Sequence, residues 1–406
     1  MKSDLDNLMQ ERNLDAIMVL GNAEHNPPMY YLTGGGHVRD ALLLKKRGEQ
    51  AVIYCNAMER EEAEKSGLVV MPTRLGAIDE LLKNSIGIFE ERRLLAGRVG
   101  VYGTFDVGTT MRLMDTLKNA LPDVEFMSEL KDESIFMYAM ETKDEGEVAR
   151  IRRMGKVTTE VVGKVAEFLT SHTVNQDEAL IKEDGAPLTI RDVKNKIALW
   201  LAERGTADVE GSIFAIGRDA GIPHSVGNPD DVLRLGKTIV FDIFPAETGG
   251  GYFYDFTRTW SLGYATPDAQ QLYDEVKAVY EKVVENIDLN VDFREYQKMV
   301  CDEFGRNGHK TPMNTEGALT DGYVHSLGHG VGLNLHERPI SRHTAGNDNR
   351  LKSDVVITIE PGLYYPEKGM GARIEDSYWV RPDGKVELLA EYPYDFVLPM
   401  KKWKKL

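Results

Sequence analysis

The chain reads as two domains: an α/β domain at the N-terminus, then an α+β domain of long helices and β-hairpins. Three observations predict this. Short apolar runs alternate with helix-spaced segments over residues 1–140. An acid-opened helical stretch starts near Thr142. From Ser212 onward, strand-like runs flank glycine-rich turns. The 406 residues also suit two domains of roughly 100–200 residues each.

Ala16–Leu20, Ala41–Leu44, Ala51–Cys55 and Val99–Tyr102 are continuous apolar runs that read as buried strands. Met58–Ser66, Gly76–Leu95 and Asp106–Leu121 carry helical spacing between them. Thr33-Gly34-Gly35-Gly36 lacks the strand–GxGxxG–helix context of a nucleotide site and reads as a tight turn. The boundary falls near residue 140, which gives domains of 1–140 and 141–406. Thr142 followed by Glu145 fits a capping box for a helix running to about Thr170. Residues 173–188 are polar and turn-rich and read as a surface loop. Thr189 caps a helix to about Arg204, and further helices are read over about 267–288 and 293–307.

Composition narrows the function classes. Lys plus Arg is 49 and Asp plus Glu is 65, so the formal charge is 49 − 65 = −16. A nucleic-acid partner would meet net repulsion, so none is expected. No apolar run approaches the roughly 20 residues that span a membrane, and the first twenty residues hold no continuous apolar signal core. Cys55 and Cys301 alone cannot build a disulfide framework or a cysteine zinc site. A soluble cytoplasmic protein is the expectation.

The chemistry concentrates in two hairpins. Thr238–Ala246 and Tyr252–Trp260 flank the turn Glu247-Thr-Gly249-Gly250-Gly251. A symmetric turn centred between residues 248 and 249 sets Asp242 opposite Asp255 on one sheet face. Asp354–Glu360 and Gly371–Val380 flank Pro366-Glu-Lys-Gly369, which sets Glu360 opposite Glu375. Arg373, two residues from Glu375, shares its face and can orient it. Carboxylates on a solvated edge strand are commonplace. Two opposed pairs in apolar strands are not, because burying like charges without a cation costs several kcal/mol per ion. Histidines add donors: His325 and His329 share a face of an extended run, and His336 follows. Glycines 328, 330 and 332 allow a close backbone approach there, and His224 lies in a turn upstream of the first hairpin.

Asp242, Asp255, His329, Glu360 and Glu375, in this order and these local contexts, resemble the ligand set of the pita-bread metallopeptidases of the aminopeptidase P and prolidase type. The resemblance covers about residues 140–400. It extends to a creatinase-like N-terminal domain through Leu14-Asp-Ala-Ile and Tyr30-Tyr-Leu-Thr-Gly34. The fold it implies is an α/β creatinase-like domain followed by an α+β pita-bread catalytic domain. One departure is visible: the two aspartates are 13 residues apart, where the family more often shows 11. An even insertion in the glycine turn preserves the face.

The resemblance implies two divalent ions. Asp242 would chelate one ion, Asp255 and Glu375 would bridge both, and His329 and Glu360 would complete the second. Glu360 would also shuttle a proton, and His224, His325 and His336 would surround the substrate, with Arg373 behind the ligands. Four carboxylates to one imidazole favour Mn²⁺, with Zn²⁺, Co²⁺ and Fe²⁺ also compatible. The activity implied is removal of an N-terminal residue from a small peptide with proline at its second position, by a homodimer. The alternatives are an Xaa-Pro dipeptidase (prolidase) or a metal-dependent non-peptidase hydrolase or lyase on the same scaffold.

Overall fold

The computed structural model describes residues 2–342, 344 and 348–403. The chain divides into two compact units. One comprises the residues up to Glu141 with Thr248–Gly251, and the other Thr142–Glu247 with Tyr252 onward.

The first unit is built on a mixed six-stranded sheet. Its strands are β1 (Ala16–Gly21), β2 (Ala41–Lys46), β3 (Val52–Cys55), β4 (Val69–Pro72), β5 (Gly97–Thr104) and β6 (Val124–Met127), in the order β4-β3-β2-β1-β5-β6. β1 pairs antiparallel with β2 and parallel with β5. All six residues of β1 are buried, so both sheet faces are covered. Ala16, Met18 and Leu20 join the core with residues of α4 (Ile78–Glu91) and α5 (Val107–Ala120). Four shorter helices complete the unit: α1 (Leu5–Glu11), α2 (Pro27–Thr33), α3 (Arg60–Glu64) and α6 (Ile135–Glu141). Gly34 ends α2 with a φ of 81°. The Thr33–Gly36 run is therefore a helix stop. The expected strands and helices appear within a few residues. β4 and β6, the two edge strands, are not among the strands read from the sequence, although both are short and mainly apolar.

The second unit opens with α7 (Glu145–Thr170). Asp144, not Thr142, is its cap: the Asp144 carboxylate accepts from Glu147 N–H, and the Glu147 carboxylate accepts from Asp144 N–H. Thr142 is instead bridged to Val355. Residues 173–188 are more ordered than a loop. β7 (Thr173–Val174) pairs with β8 (Leu180–Ile181), and Ala179 and Thr189 bridge to Arg234 and Val232. α8 (Ile190–Ala202), α9 (Pro267–Asn286) and α10 (Phe293–Arg306) follow. β9 (Thr206–Ala207) pairs with β12 (Ala246–Glu247).

Two larger sheets carry the chemistry. One joins β10 (Ile213–Ile216), β11 (Thr238–Ile243), β13 (Phe256–Leu262) and β21 (Val397–Leu398) in that order. The other runs β15-β14-β16-β19-β20, from β14 (His329–Gly330), β15 (Glu337–Ile340), β16 (Val356–Ile359), β19 (Asp376–Val380) and β20 (Val386–Leu388). β17 (Gly362–Tyr365) and β18 (Met370–Arg373) form a two-stranded ribbon. α9 and α10 bury Val276, Val283, Phe293 and Phe304 in one core with Ile357, Ile359 and Leu363. Among the described residues, no helix is long and apolar enough to cross a membrane.

The strand carrying His329 is crowded by backbone. A Cβ on Gly328 would lie 2.0 Å from Thr358 O, and one on Gly330 would lie 1.9 Å from Arg338 O. The glycines therefore serve sheet packing rather than contact with a bound molecule. The loop after β14 is held by a buried ion pair. Lys143 Nζ donates to Glu337 Oε2 at 2.9 Å, and Asn334 N–H donates to Glu337 Oε1. The two charged side chains are 2% and 0% exposed. Removing one partner leaves an uncompensated buried charge. Lys143→Ala is expected to cost about 3–5 kcal/mol, and Lys143→Met with Glu337→Gln to recover most of it. Denaturant melts of both variants check this, and equal losses in the two would contradict it.

Candidate metal centre

The first hairpin turns one residue later than the symmetric reading places it. Gly249 and Gly250 have φ of 88° and 85°. Two consecutive left-handed residues mark the centre of a tight hairpin turn, so the centre lies between them. Glu247 N–H accordingly donates to Tyr252 O. A one-residue move of the centre shifts the pairing by two: Asp242 lies opposite Thr257, not opposite Asp255. An even shift keeps the face, so Asp242 and Asp255 are diagonal neighbours on one side of the sheet.

The second hairpin keeps its expected register. Ile359 pairs with Asp376 and Gly362 with Arg373, which sets Glu360 level with Glu375. Between those pairs the strands part. Glu360 N–H donates to Leu327 O, and Glu375 N–H donates to Thr257 O. One carboxylate is thus drawn toward the strand of His329 and the other toward the strand of Asp255. The isolated bridge Thr257–Glu375 is where the two large sheets meet.

The donors converge at that junction. Ligand atoms of Asp255, His329 and Glu375 all lie within 4.8 Å of one another, and all three residues are buried. His329 Nε2 is 3.6 Å from Asp255 Oδ2 and 3.5 Å from Glu360 Oε1. Asp242 is tied to the group through Arg373 Nη2, which donates to its Oδ2. Asp242, Asp255, His329, Glu360, Arg373 and Glu375 share the wall of a cavity of about 530 Å³ with His224, His325 and His336.

The electrostatics are those of a site built around cations. Asp242 Oδ1, Asp255 Oδ1 and Glu375 Oε1 are buried, with no hydrogen-bond partner among the described residues. Burial, then the charges of Glu375 and Asp242, raise the Asp255 carboxyl well above its ordinary range. Glu360 is raised well above its own for the same reasons, burial first and the Glu375 charge second. Glu375 is pushed up to about 8, by burial and then by Asp242. His329 is depressed to about 3, by burial and then by His336, so it is neutral. Its Nδ1–H donates to Gly330 O at 2.9 Å. Nε2 therefore presents a lone pair to two carboxyl groups, a contact that only a proton or a cation between them makes favourable. Divalent cations fit it: oxygen and imidazole donors, unpaired, with the far nitrogen of the histidine anchored on a carbonyl.

The remaining histidines divide. His224 and His336 are exposed to the cavity, and the His336 ring centroid lies 4.4 Å from that of His329. His325 is 16% exposed. Its Nδ1–H donates to Ser326 O, and Tyr364 O–H donates to its Nε2 at 2.8 Å. Arg373 Nη1 donates to the same tyrosine oxygen at 2.8 Å, and Arg373 Nε donates to Thr257 Oγ1 at 3.1 Å. Thr257 Oγ1–H in turn donates to Glu375 Oε2 at 2.7 Å. Sequence reasoning missed Thr257 and Tyr364. Both stand at even spacing from a carboxylate just before their strand (Asp255 and Glu360), so alternation could have found them. Glu210 and Arg342 also line the cavity and are exposed. They lie in irregular segments, where no periodicity points inward.

Residues 149–382 match the description of metallopeptidase family M24, more than half of the chain. The chain belongs to metallopeptidase family M24. Residues 2–130 match the creatinase/prolidase N-terminal domain. An Xaa-Pro dipeptidase of Pyrococcus horikoshii is 26% identical over 382 residues, which cover 94% of each chain. The crystal structure of a prolidase from P. horikoshii superposes with a TM-score of 0.75 at 23% identity, over 97% of this chain and 99% of that one. An X-Pro aminopeptidase from Thermotoga maritima gives 0.75 at 20% identity, over 96% and 99%. The fold of this M24 chain is therefore the pita-bread fold behind a creatinase-type domain, as the sequence resemblance implies.

A pH signature follows. Between about 4.5 and about 8 the folded, metal-free chain holds the Glu375 proton that the unfolded chain releases, so stability falls as pH rises. His329 acts oppositely, but only between about 3 and 6.5. Above pH 6.5 the carboxylate effect stands alone. Chelated protein is expected to melt at a lower temperature at pH 8.5 than at pH 6.5, whereas Mn²⁺-loaded protein holds its melting temperature. A flat profile for the chelated form contradicts this.

Proposed function

We propose that this chain hydrolyses the bond between an N-terminal residue and proline, with two divalent ions held by Asp242, Asp255, His329, Glu360 and Glu375. One observation carries the reading. Three buried carboxylate oxygens with no partner among the described residues belong to side chains that line one cavity with a neutral imidazole, whose Nε2 lies 3.6 Å from Asp255 Oδ2. Bound there, such ions make water acidic enough to ionise at neutral pH and polarise a peptide carbonyl.

The protein's own groups do the rest. Glu360, the most accessible of the four carboxylates at 15% exposed, takes the proton released as water attacks the carbonyl. It returns that proton to the proline nitrogen as the C–N bond breaks. His224 and His336, open to the cavity, hydrogen-bond the peptide and the oxyanion. His325 is depressed to about 3, by burial and then by Arg373, and stays neutral. It holds the Tyr364 hydroxyl, which with Arg373 fixes the aim of Asp242 and Glu375.

The dipeptidase form is favoured over the aminopeptidase form by the relatives named Xaa-Pro dipeptidase. Fold does not separate the two, since prolidase and X-Pro aminopeptidase superpose equally well. The four-to-one oxygen-rich donor set favours Mn²⁺. The proposal extends to a homodimer in the cytoplasm. Cys55 and Cys301 are buried and free, which suits a reducing compartment, and sedimentation in solution tests the dimer.

Chelated protein supplied with Mn²⁺, Zn²⁺, Co²⁺ or Fe²⁺ is to be assayed on Ala-Pro, Ala-Pro-Ala and Ala-Ala. Metal-dependent release of proline from Ala-Pro is expected, with Ala-Pro-Ala cut more slowly. Glu360→Gln is expected to lower kcat about 100- to 10,000-fold. No metal-dependent cleavage of either proline peptide sinks the proposal and points to a non-peptidase reaction on the scaffold.

A further inference from the structure

The junction that unites the two sheets is clamped from its far side by a buried arginine. Arg258 lies in β13 three residues beyond Asp255, on the opposite sheet face, and its side chain is 1% exposed. A guanidinium offers five N–H groups in a fixed fork, and all three of its nitrogens are engaged. Nη1 donates to Thr257 O and to Glu375 O, both at 3.0 Å. Nε donates to Pro393 O at 3.0 Å, and Nη2 donates to Tyr392 O at 3.1 Å and Asp376 Oδ1 at 3.0 Å. The guanidinium carbon lies 4.2 Å from the ring centroid of Phe256 and 4.3 Å from that of Tyr394. Asp376 is fully buried, and its Oδ2 accepts from Tyr280 O–H and Tyr394 O–H.

Thr257 and Glu375 are the two residues of the bridge between the sheets. Their carbonyls already accept from each other's N–H groups, Thr257 N–H to Glu375 O and Glu375 N–H to Thr257 O. Arg258 adds a third strut across the same pair. The bridge sets the separation of Asp255, on one sheet, from Glu375, on the other, and those two carboxylates repel until a cation lies between them. We infer that Arg258 is a positioning residue for the metal centre: with Asp376, it holds the backbone of Glu375 against β13 and so keeps the bridging carboxylates at metal-binding distance. The inference rests on the two-ion reading above. The fork matters more than the charge, because Asp376 neutralises the cation while Nη1 grips two carbonyls at once. Lysine carries the same charge on a single nitrogen and cannot span these acceptors.

Titration calorimetry of chelated full-length protein with Mn²⁺ tests it. Arg258→Lys is expected to bind Mn²⁺ about 10- to 100-fold more weakly than the wild type, in the range that orienting partners of metal ligands command. Val165→Ala, a cavity in α7 where Val165 is fully buried, serves as a destabilised control. Its melting temperature should fall while its Mn²⁺ affinity stays at the wild-type value. Should Arg258→Lys not fold, Asp376→Asn is read instead. It keeps the shape and the acceptor oxygen, removes the charge that orients the fork, and is expected to weaken Mn²⁺ binding in the same direction. Wild-type affinity in Arg258→Lys, or in Asp376→Asn where the lysine variant is unfolded, overturns the inference and leaves the metal reading intact. Loss of affinity in the control equal to that in Arg258→Lys also overturns it. A wild-type protein that binds no Mn²⁺ overturns both.

Discussion

Like charges do not share a dry interior without compensation, and the architecture of the larger unit is organised around that constraint. Asp242, Asp255, Glu360 and Glu375 converge with an imidazole that is held neutral. Arg373 reaches Asp242, and Thr257 reaches Glu375, but three carboxylate oxygens stay unmatched among the described residues. In the metal-free chain Asp255, Glu360 and Glu375 meet the problem by holding protons more tightly, as their raised pKa values express. Divalent cations resolve it while leaving every carboxylate charged. The same arrangement is therefore a cost to the empty fold and the source of its affinity.

The scaffold can carry that cost because each donor sits in a sheet strand or within one residue of a strand end. Each hairpin supplies two carboxylates, and the sheets meet at the bridge between Thr257 and Glu375. His329 joins them from a third strand whose glycines lie almost against the neighbouring carbonyls. Side chains that hold other side chains complete the frame. Tyr364 links His325 to Arg373, and Thr257 links Arg373 to Glu375. Such networks fix donor geometry more closely than the ligands could alone. Membership of family M24 agrees with this arrangement, and residues 2–130 match the N-terminal domain.

Much of this was legible without coordinates. Alternation along apolar strands singled out the four carboxylates and Arg373, and the short apolar runs at Ala16, Ala41, Ala51 and Val99 marked the first sheet. What escaped were the two edge strands, of which Val69–Pro72 is a short apolar run that ends in proline, and the hairpin order in residues 173–188, held by bridges to Val232 and Arg234 far along the chain. The cap of the long helix moved from Thr142 to Asp144 because Thr142 is engaged with Val355.

By itself, the amino-acid sequence determined which residue types could bind a cation, their order, and the sheet face they occupy, because side-chain alternation has period two and survives any even shift of register. It could not determine the register of the first hairpin. That was decided by which two glycines adopt the left-handed conformation, a choice among three adjacent residues that are chemically identical. Nor could it join the two hairpins, since the bridge between Thr257 and Glu375 spans more than a hundred residues. Only the tertiary fold brings Asp255 to Glu375, because the free energy that holds two carboxylates together is supplied by the packing around them and not by either strand alone.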